Sequence, residues 1–159
     1  GEGHSSSPFI WRILYMTKYK PFDRNLYALA DEKGKGVVSY LLEKEGHNIT
    51  STKENYKCDI VTEKDGTVYN SEVEIKFSWK EIWPDSWEEI RIPYRKKKLL
   101  DKENLTFYVL RADCKQAWKI DADVLRTKAT VKEVSNRYVR RGEKFFHIPV
   151  KHALLIDMV

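Results

Sequence analysis

Cysteine is scarce in this chain: Cys58 and Cys114 are the only two among 159 residues. Neither sits in a CxxC or Cys/His spacing, which argues against a zinc site. Cys58, between a lysine and an aspartate on an expected strand, reads as a reduced thiol of a cytosolic protein. Long apolar runs are lacking too. The piece FIWRILY near the start is too short to cross a bilayer, is interrupted by Arg12 and carries no signal-peptide cleavage pattern. There is no G-x-x-x-x-G-K-[ST], and the GKG at Gly34–Gly36 is too short to stand for one, so NTP hydrolysis is disfavoured. There is no G-x-S-x-G nucleophile elbow. No repeat, low-complexity tract or linker interrupts the chain. No membrane association is expected, and the location expected is intracellular, in a cytoplasm or a host-cell nucleoid.

What is present is a globular balance, with 42% hydrophobic and 33% charged residues. The length suits one domain that buries a core without staples. Residues 1–15 read as a tag ahead of a true start at Met16, which leaves 16–159 as a single domain. The net charge is +5 and the isoelectric point is about 9.1. This mild basic excess fits an anionic partner such as nucleic acid without requiring one.

The patterning predicts a first helix after Asp23, a candidate cap, with Val37, Val38, Leu41 and Leu42 at helical spacing and Gly46 as its stop. Gly34 and Gly36 are expected to divide it. HNITSTK and KCDIVTE read as strands. KDG, Lys64–Gly66, is a hairpin turn signal, and TVYNSEVEIKF is a long third strand with a bulge expected near Asn70. Pro84 argues against one helix through SWKEIWPDSWEEI. A helix is expected from Pro93 through RKKKLL, then strands at LTFYVLRAD and QAWKID and a short helix at ADVLRT. Another helix is expected over TVKEVSNRYVRRG, ended by Gly142, and a short strand at FFHIPV. The order predicts an α/β domain with a central mixed sheet flanked by helices.

Along the third strand, alternation puts Glu72, Glu74 and Lys76 on one face and Val73, Ile75 and Phe77 on the other. The apolar set suits a core. The hairpin brings Asp59 alongside Glu74. Two converging carboxylates repel unless a cation lies between them, and Mg²⁺ (or Mn²⁺) suits such an oxygen site beside phosphate. A neighbouring lysine can orient water or offset developing charge. An amphipathic strand with Glu and Lys on its wet face explains the same spacing.

The segment from about residue 24 to 112 resembles the PD-(D/E)XK nuclease superfamily, which includes restriction-type endonucleases and Holliday junction resolvases. CDIV supplies the acid that opens the second strand, and EVEIKF supplies the acid-x-lysine of the third. The proline of the motif is absent: Lys57 and Cys58 precede Asp59. The resemblance implies a restriction endonuclease-like core. It implies that Asp59, Glu74 and the backbone carbonyl of Ile75 hold Mg²⁺, and that Lys76 acts on the attacking water. Glu32 is the candidate for the further acid that many members bring from the first helix, and Asp31 is no better placed. Glu72 competes with Glu74, but only Glu74 has a lysine two residues on. The function implied is metal-dependent endonuclease cleavage of DNA, resolvase-like or of restriction or homing type, by a homodimer in the resolvase case.

Two basic clusters follow. Arg91, Arg95, Lys96, Lys97 and Lys98 are candidate phosphate contacts, and Lys96 or Lys97 is the one to assist the site. Arg137, Arg140, Arg141 and Lys144 form the second, the three arginines sharing a helical face. Each cluster is also explained by a solvated surface. Trp79, Trp83 and Trp87 suit a packed loop better than base stacking. His147 and His152 read as structural or surface groups. The rival functions are a non-catalytic nucleic-acid-binding module on the same fold and a plain protein-interaction domain.

Overall fold

Helix α1, Arg24–Lys44, is continuous through both glycines that were expected to divide it. Packing overrides the low propensity of glycine here. A Cβ on Gly34 would lie 2.9 Å from Ile75 Cδ1 and 3.2 Å from Leu110 Cδ1, so the missing side chain lets the helix lie against the sheet. The helix stops as expected at Gly46, whose φ is +94°. Its N–H donates to the Glu43 carbonyl and that of His47 to the Leu42 carbonyl, each at 3.0 Å, which closes a Schellman cap. The computed structural model describes residues 24–52, 58–84, 86–136 and 139–158. Residues 1–15, Met16, Asp23, Lys57 and Arg137 lie outside the described residues.

Strand β1, Asn48–Ser51, pairs antiparallel with β2, Ile60–Lys64, which pairs antiparallel with β3, Thr67–Lys76. Asp65 and Gly66 both have positive φ, 52° and 83°, which gives the tight hairpin that KDG predicts. The bulge expected near Asn70 is absent: the register runs unbroken from Ile60↔Ser71 to Lys64↔Thr67. Beyond β3 the chain forms a strand, β4 (Glu89–Pro93), and a six-residue 3-10 helix, Tyr94–Leu99, where an ordinary helix was expected. Strand β5, Leu105–Arg111, then returns parallel to β3, with Glu74 opposite Val109 and Lys76 opposite Arg111. Strand β6 is Gln116–Asp121, and the short helix α2 is Ala122–Thr127, capped by the Asp121 carboxylate.

The helix expected over TVKEVSNRYVRRG is instead two strands, β7 (Thr130–Asn136) and β8 (Val139–Pro149). Val131 and Val134 satisfy helical spacing, but the β-branched residues find partners across an antiparallel ladder that joins Thr130 to His147 and Glu133 to Lys144. Gly142 is not a helix stop. A Cβ there would meet Glu133 Cγ at 2.4 Å, so it makes room for the cross-strand glutamate. The last strand, β9 (Leu154–Asp157), pairs with β6.

The fold is therefore α/β, with a mixed six-stranded sheet in the order β1-β2-β3-β5-β6-β9 and a three-stranded sheet in the order β4-β8-β7. Strand β5 is apolar on both faces because both are covered. Tyr108 and Leu110 join Val38, Leu42 and Ile75 under α1. Phe107 and Val109 join Ile90, Ile92, Phe146 and Ile148 from the second sheet. Trp79, Trp83 and Trp87 pack with this second core, Trp83 stacked on Trp87 at 5.3 Å, as a packed loop requires. The Trp79 carbonyl accepts the Ala112 N–H at 2.7 Å and so ties the loop to the end of β5.

Candidate active site

The site starts from a fork in the sheet. Strands β2 and β3 pair as far as Ile60↔Ser71. Among the described residues, no strand pairs with that edge of β3 beyond Ser71. Side chains take over the ladder there: the Val73 N–H donates to Asp59 Oδ2 at 2.9 Å, and the Asp59 N–H donates to Glu72 Oε2 at 3.0 Å. Lys96 Nζ approaches the Val73 carbonyl at 3.4 Å from the same side. A strand residue turns its N–H and C=O to one edge, and the residue two on turns its own to that same edge. The Ile75 carbonyl therefore faces the open side of the fork with Val73.

The side chains alternate as expected. Val73, Ile75 and Phe77 pack with α1, and Ile75 is buried. Glu72, Glu74 and Lys76 take the opposite face, where the 3-10 helix and β4 meet them. Lys96, only 7% exposed, lies 2.8 Å from Glu72 Oε1 and 3.1 Å from Glu74 Oε2. Lys35, 8% exposed and carried by α1, lies 3.8 Å from Asp59 Oδ1. Three carboxylates thus interleave with two ammonium groups. A cleft of about 540 Å³ opens over them, and its lining includes Asp31, Lys35, Asp59, Glu72, Glu74 and Lys96.

Burial and charge act against one another in this cluster. Burial pushes the Glu72 carboxyl above its ordinary range, with Asp59 adding to the shift and Lys96 opposing it. Burial also works against the Lys96 ammonium, but the Glu74 and Glu72 carboxylates outweigh it and hold its pKa above the usual lysine value. Lys76 is different: burial lowers its pKa, the charges of Arg91 and Lys96 add to that, and Glu74 only partly compensates. The Cys58 thiol, beside Asp59, is pushed up to about 12, first by burial and then by Glu72, so it stays a neutral core group.

Of the residues that the sequence singles out, Asp59 and Glu74 line the cleft. The Lys76 ammonium instead donates to the Arg91 backbone carbonyl at 2.5 Å, and Lys76 is not among the lining residues. Glu32 is exposed and away from the lining; Asp31, one residue earlier, lines the cleft in its place. Between Lys96 and Lys97 the structure discriminates: Lys97 is exposed, with its Nζ 5.3 Å above the Tyr94 ring. Arg95 and Lys98 stand on the rim, Arg95 3.7 Å from Glu143. Lys144 reaches the same Tyr94 ring at 5.8 Å, and Arg91 is exposed on β4. Arg140 and Arg141 belong to strand β8 rather than to the helix expected there, and Arg137 lies outside the described residues. His147 is buried with Nδ1 3.4 Å from Glu89 Oε1, and His152 ends the 3-10 helix Val150–His152.

Sequence reasoning missed Lys35. A signal existed: Val38 and Leu42 form the inward stripe of α1, and the same 3.6 period run backwards reaches Lys35 and Asp31. A lysine on an apolar stripe has to find an acid, and Asp59 is that acid.

Among the described residues, no three of His, Cys, Asp and Glu form a ready metal cage. Two carboxylates and one strand carbonyl at an open edge nevertheless suit Mg²⁺, which binds hard oxygens and keeps several waters. Compared with known proteins, the chain matches no family model, no curated protein and no solved structure.

Proposed function

We propose that the chain is a Mg²⁺-dependent (or Mn²⁺-dependent) DNA endonuclease with a restriction endonuclease-like core. The observation that carries this reading is the fork itself: Asp59 and Glu74 line a basic-rimmed cleft where, among the described residues, β3 has no strand partner beyond Ser71 on that edge and the Asp59 carboxylate takes the Val73 N–H. In favour of the core are α1 ahead of the β1-β2-β3 meander and the return of β5 parallel to β3. The crossover between β3 and β5 is a strand and a 3-10 helix rather than an α-helix, which is a departure from the pattern.

In this reading Asp59, Glu74 and the Ile75 carbonyl hold the cation. When bound, the cation supplies Lewis-acid stabilisation of phosphate charge and a more acidic water. Lys76 shares the strand face of Glu74, and its lowered pKa suits proton exchange with that water once the ammonium leaves the Arg91 carbonyl. Arg95 and Lys98 contact the backbone of the nucleic acid at the rim, and Arg91, Lys97 and Lys144 extend the basic surface. A four-way junction cut by a homodimer is the subclass favoured.

A second reading, a non-catalytic nucleic-acid-binding module, has one observation behind it. Lys96 pairs with both Glu72 and Glu74 and neutralises part of their charge.

One experiment separates the two. A labelled panel of duplex, single strand, flap and four-way junction is incubated with Mg²⁺, Mn²⁺ or chelator, beside Lys76→Ala. Metal-dependent cutting lost in the variant is expected. Binding that survives chelation, with no cutting under either metal, would leave the binding module.

A further inference from the structure

Lys96 already engages one of the carboxylates assigned to the candidate cation, Glu74. Its ammonium bridges Glu72 Oε1 at 2.8 Å and Glu74 Oε2 at 3.1 Å. It is buried, while its neighbours Arg95, Lys97 and Lys98 on the same 3-10 helix are exposed. A buried ion pair of this kind loses its balance if one partner is removed, because an uncompensated charge remains. The carrier suits movement. A 3-10 segment has poorer hydrogen-bond geometry than an α-helix, and the lysine stem has four rotatable carbons.

We propose that Lys96 is a built-in counter-ion that holds Glu74 in the metal-free protein and must release it before a divalent cation engages there. The inference rests on the reading of Asp59 and Glu74 as metal ligands. On release the ammonium keeps Glu72 as one partner and gains a phosphate oxygen in the cleft as another. An anionic phosphodiester in the cleft therefore draws Lys96 off Glu74 and favours the metal. By linkage, the metal favours the phosphodiester by the same factor. Without substrate the site binds divalent cations weakly, which limits metal loading until nucleic acid is present.

The test is Mn²⁺ affinity of the free protein, with no nucleic acid and no activity readout. Wild type, Lys96→Gln and Lys98→Gln are titrated by calorimetry. Lys98→Gln is the charge control: Lys98 is on the same rim and pairs with none of Asp59, Glu72 and Glu74. Expected is about a 10-fold or larger tightening in Lys96→Gln, corresponding to one lost counter-ion, against less than about 3-fold in Lys98→Gln. Equal tightening in both, or weaker binding in Lys96→Gln, overturns the counter-ion. If Lys96→Gln does not fold, side-chain ammonium NMR of wild type decides. The protected Lys96 signal is lost with Mg²⁺ at the midpoint of metal binding, whereas an unmoved signal overturns the proposal. Asp59→Asn and Glu74→Gln separate the two layers. Binding that neither alters defeats the metal-site reading itself; binding that both abolish, with Lys96→Gln like wild type, defeats only the counter-ion.

Discussion

The carboxylate of Asp59 accepts the backbone N–H of Val73 at 2.9 Å, at the point where β2 and β3 part. A candidate metal ligand is therefore also a structural hydrogen-bond acceptor, and the two roles separate by substitution. Asp59→Asn keeps an oxygen for the Val73 N–H but loses the charge. It leaves the buried Lys35 ammonium without the Asp59 carboxylate, so it is expected to melt below wild type but above Asp59→Ala, and to lose metal-dependent cleavage. Asp59→Ala leaves the N–H without its acceptor and is expected to cost about 1–3 kcal/mol. Thermal melts beside the cleavage panel check both.

The two helix glycines are expected to answer with opposite signs. At Gly36 an added Cβ meets nothing within 4 Å, so Gly36→Ala should stabilise by about 0.5–1 kcal/mol through lower backbone entropy. At Gly34 the Cβ presses on Ile75, Leu110 and Val73. Overpacking of about 1–3 kcal/mol should outweigh the propensity gain of about 1 kcal/mol, so Gly34→Ala is expected to destabilise. Denaturant midpoints of the two variants decide it.

Lys76 gives a pH signature. Burial lowers its folded pKa below the unfolded value of 10.5, so the unfolded chain binds more protons between those two values. Stability from this group therefore rises with pH across that window. Below the folded pKa the partly desolvated ammonium lowers stability. Lys76→Met is accordingly expected to be more stable than wild type near neutrality, with the gap closing as pH approaches 10.5. A gap that widens with pH would contradict the sign.

The basic rim makes a salt-dependent prediction. If Arg95 and Lys98 meet phosphates, replacing either by alanine weakens binding to all DNA sequences alike. Each should also reduce the slope of log affinity against log salt by about 1. Binding isotherms at several salt concentrations give the slope directly. An unchanged slope in both variants removes them from the interface.

Much of the first half was legible because its signals are local. A Gly46 in left-handed conformation and the Asp65–Gly66 turn follow from what those residues allow at positive φ. The alternation that divides Glu72, Glu74 and Lys76 from Val73, Ile75 and Phe77 follows from strand geometry alone. The segment from 130 to 142 reads as a helix because Val131 and Val134 have helical spacing, while the partners that make it a strand lie up to 17 residues away, at Thr130↔His147. Strand β4 was missed for the same reason: EIRIP is short and takes its ladder from β8.

The patterning of the chain determined an α/β fold and the strand face that Glu72, Glu74 and Lys76 share. Only the tertiary structure decided which charges meet. It set Lys96 rather than Lys97 between Glu72 and Glu74, brought Lys35 to Asp59, put Asp31 in place of Glu32, and turned the Lys76 ammonium toward Arg91. Pattern along a chain says which face a side chain takes. The burial and the partner that govern a charge belong to contacts between elements far apart in sequence.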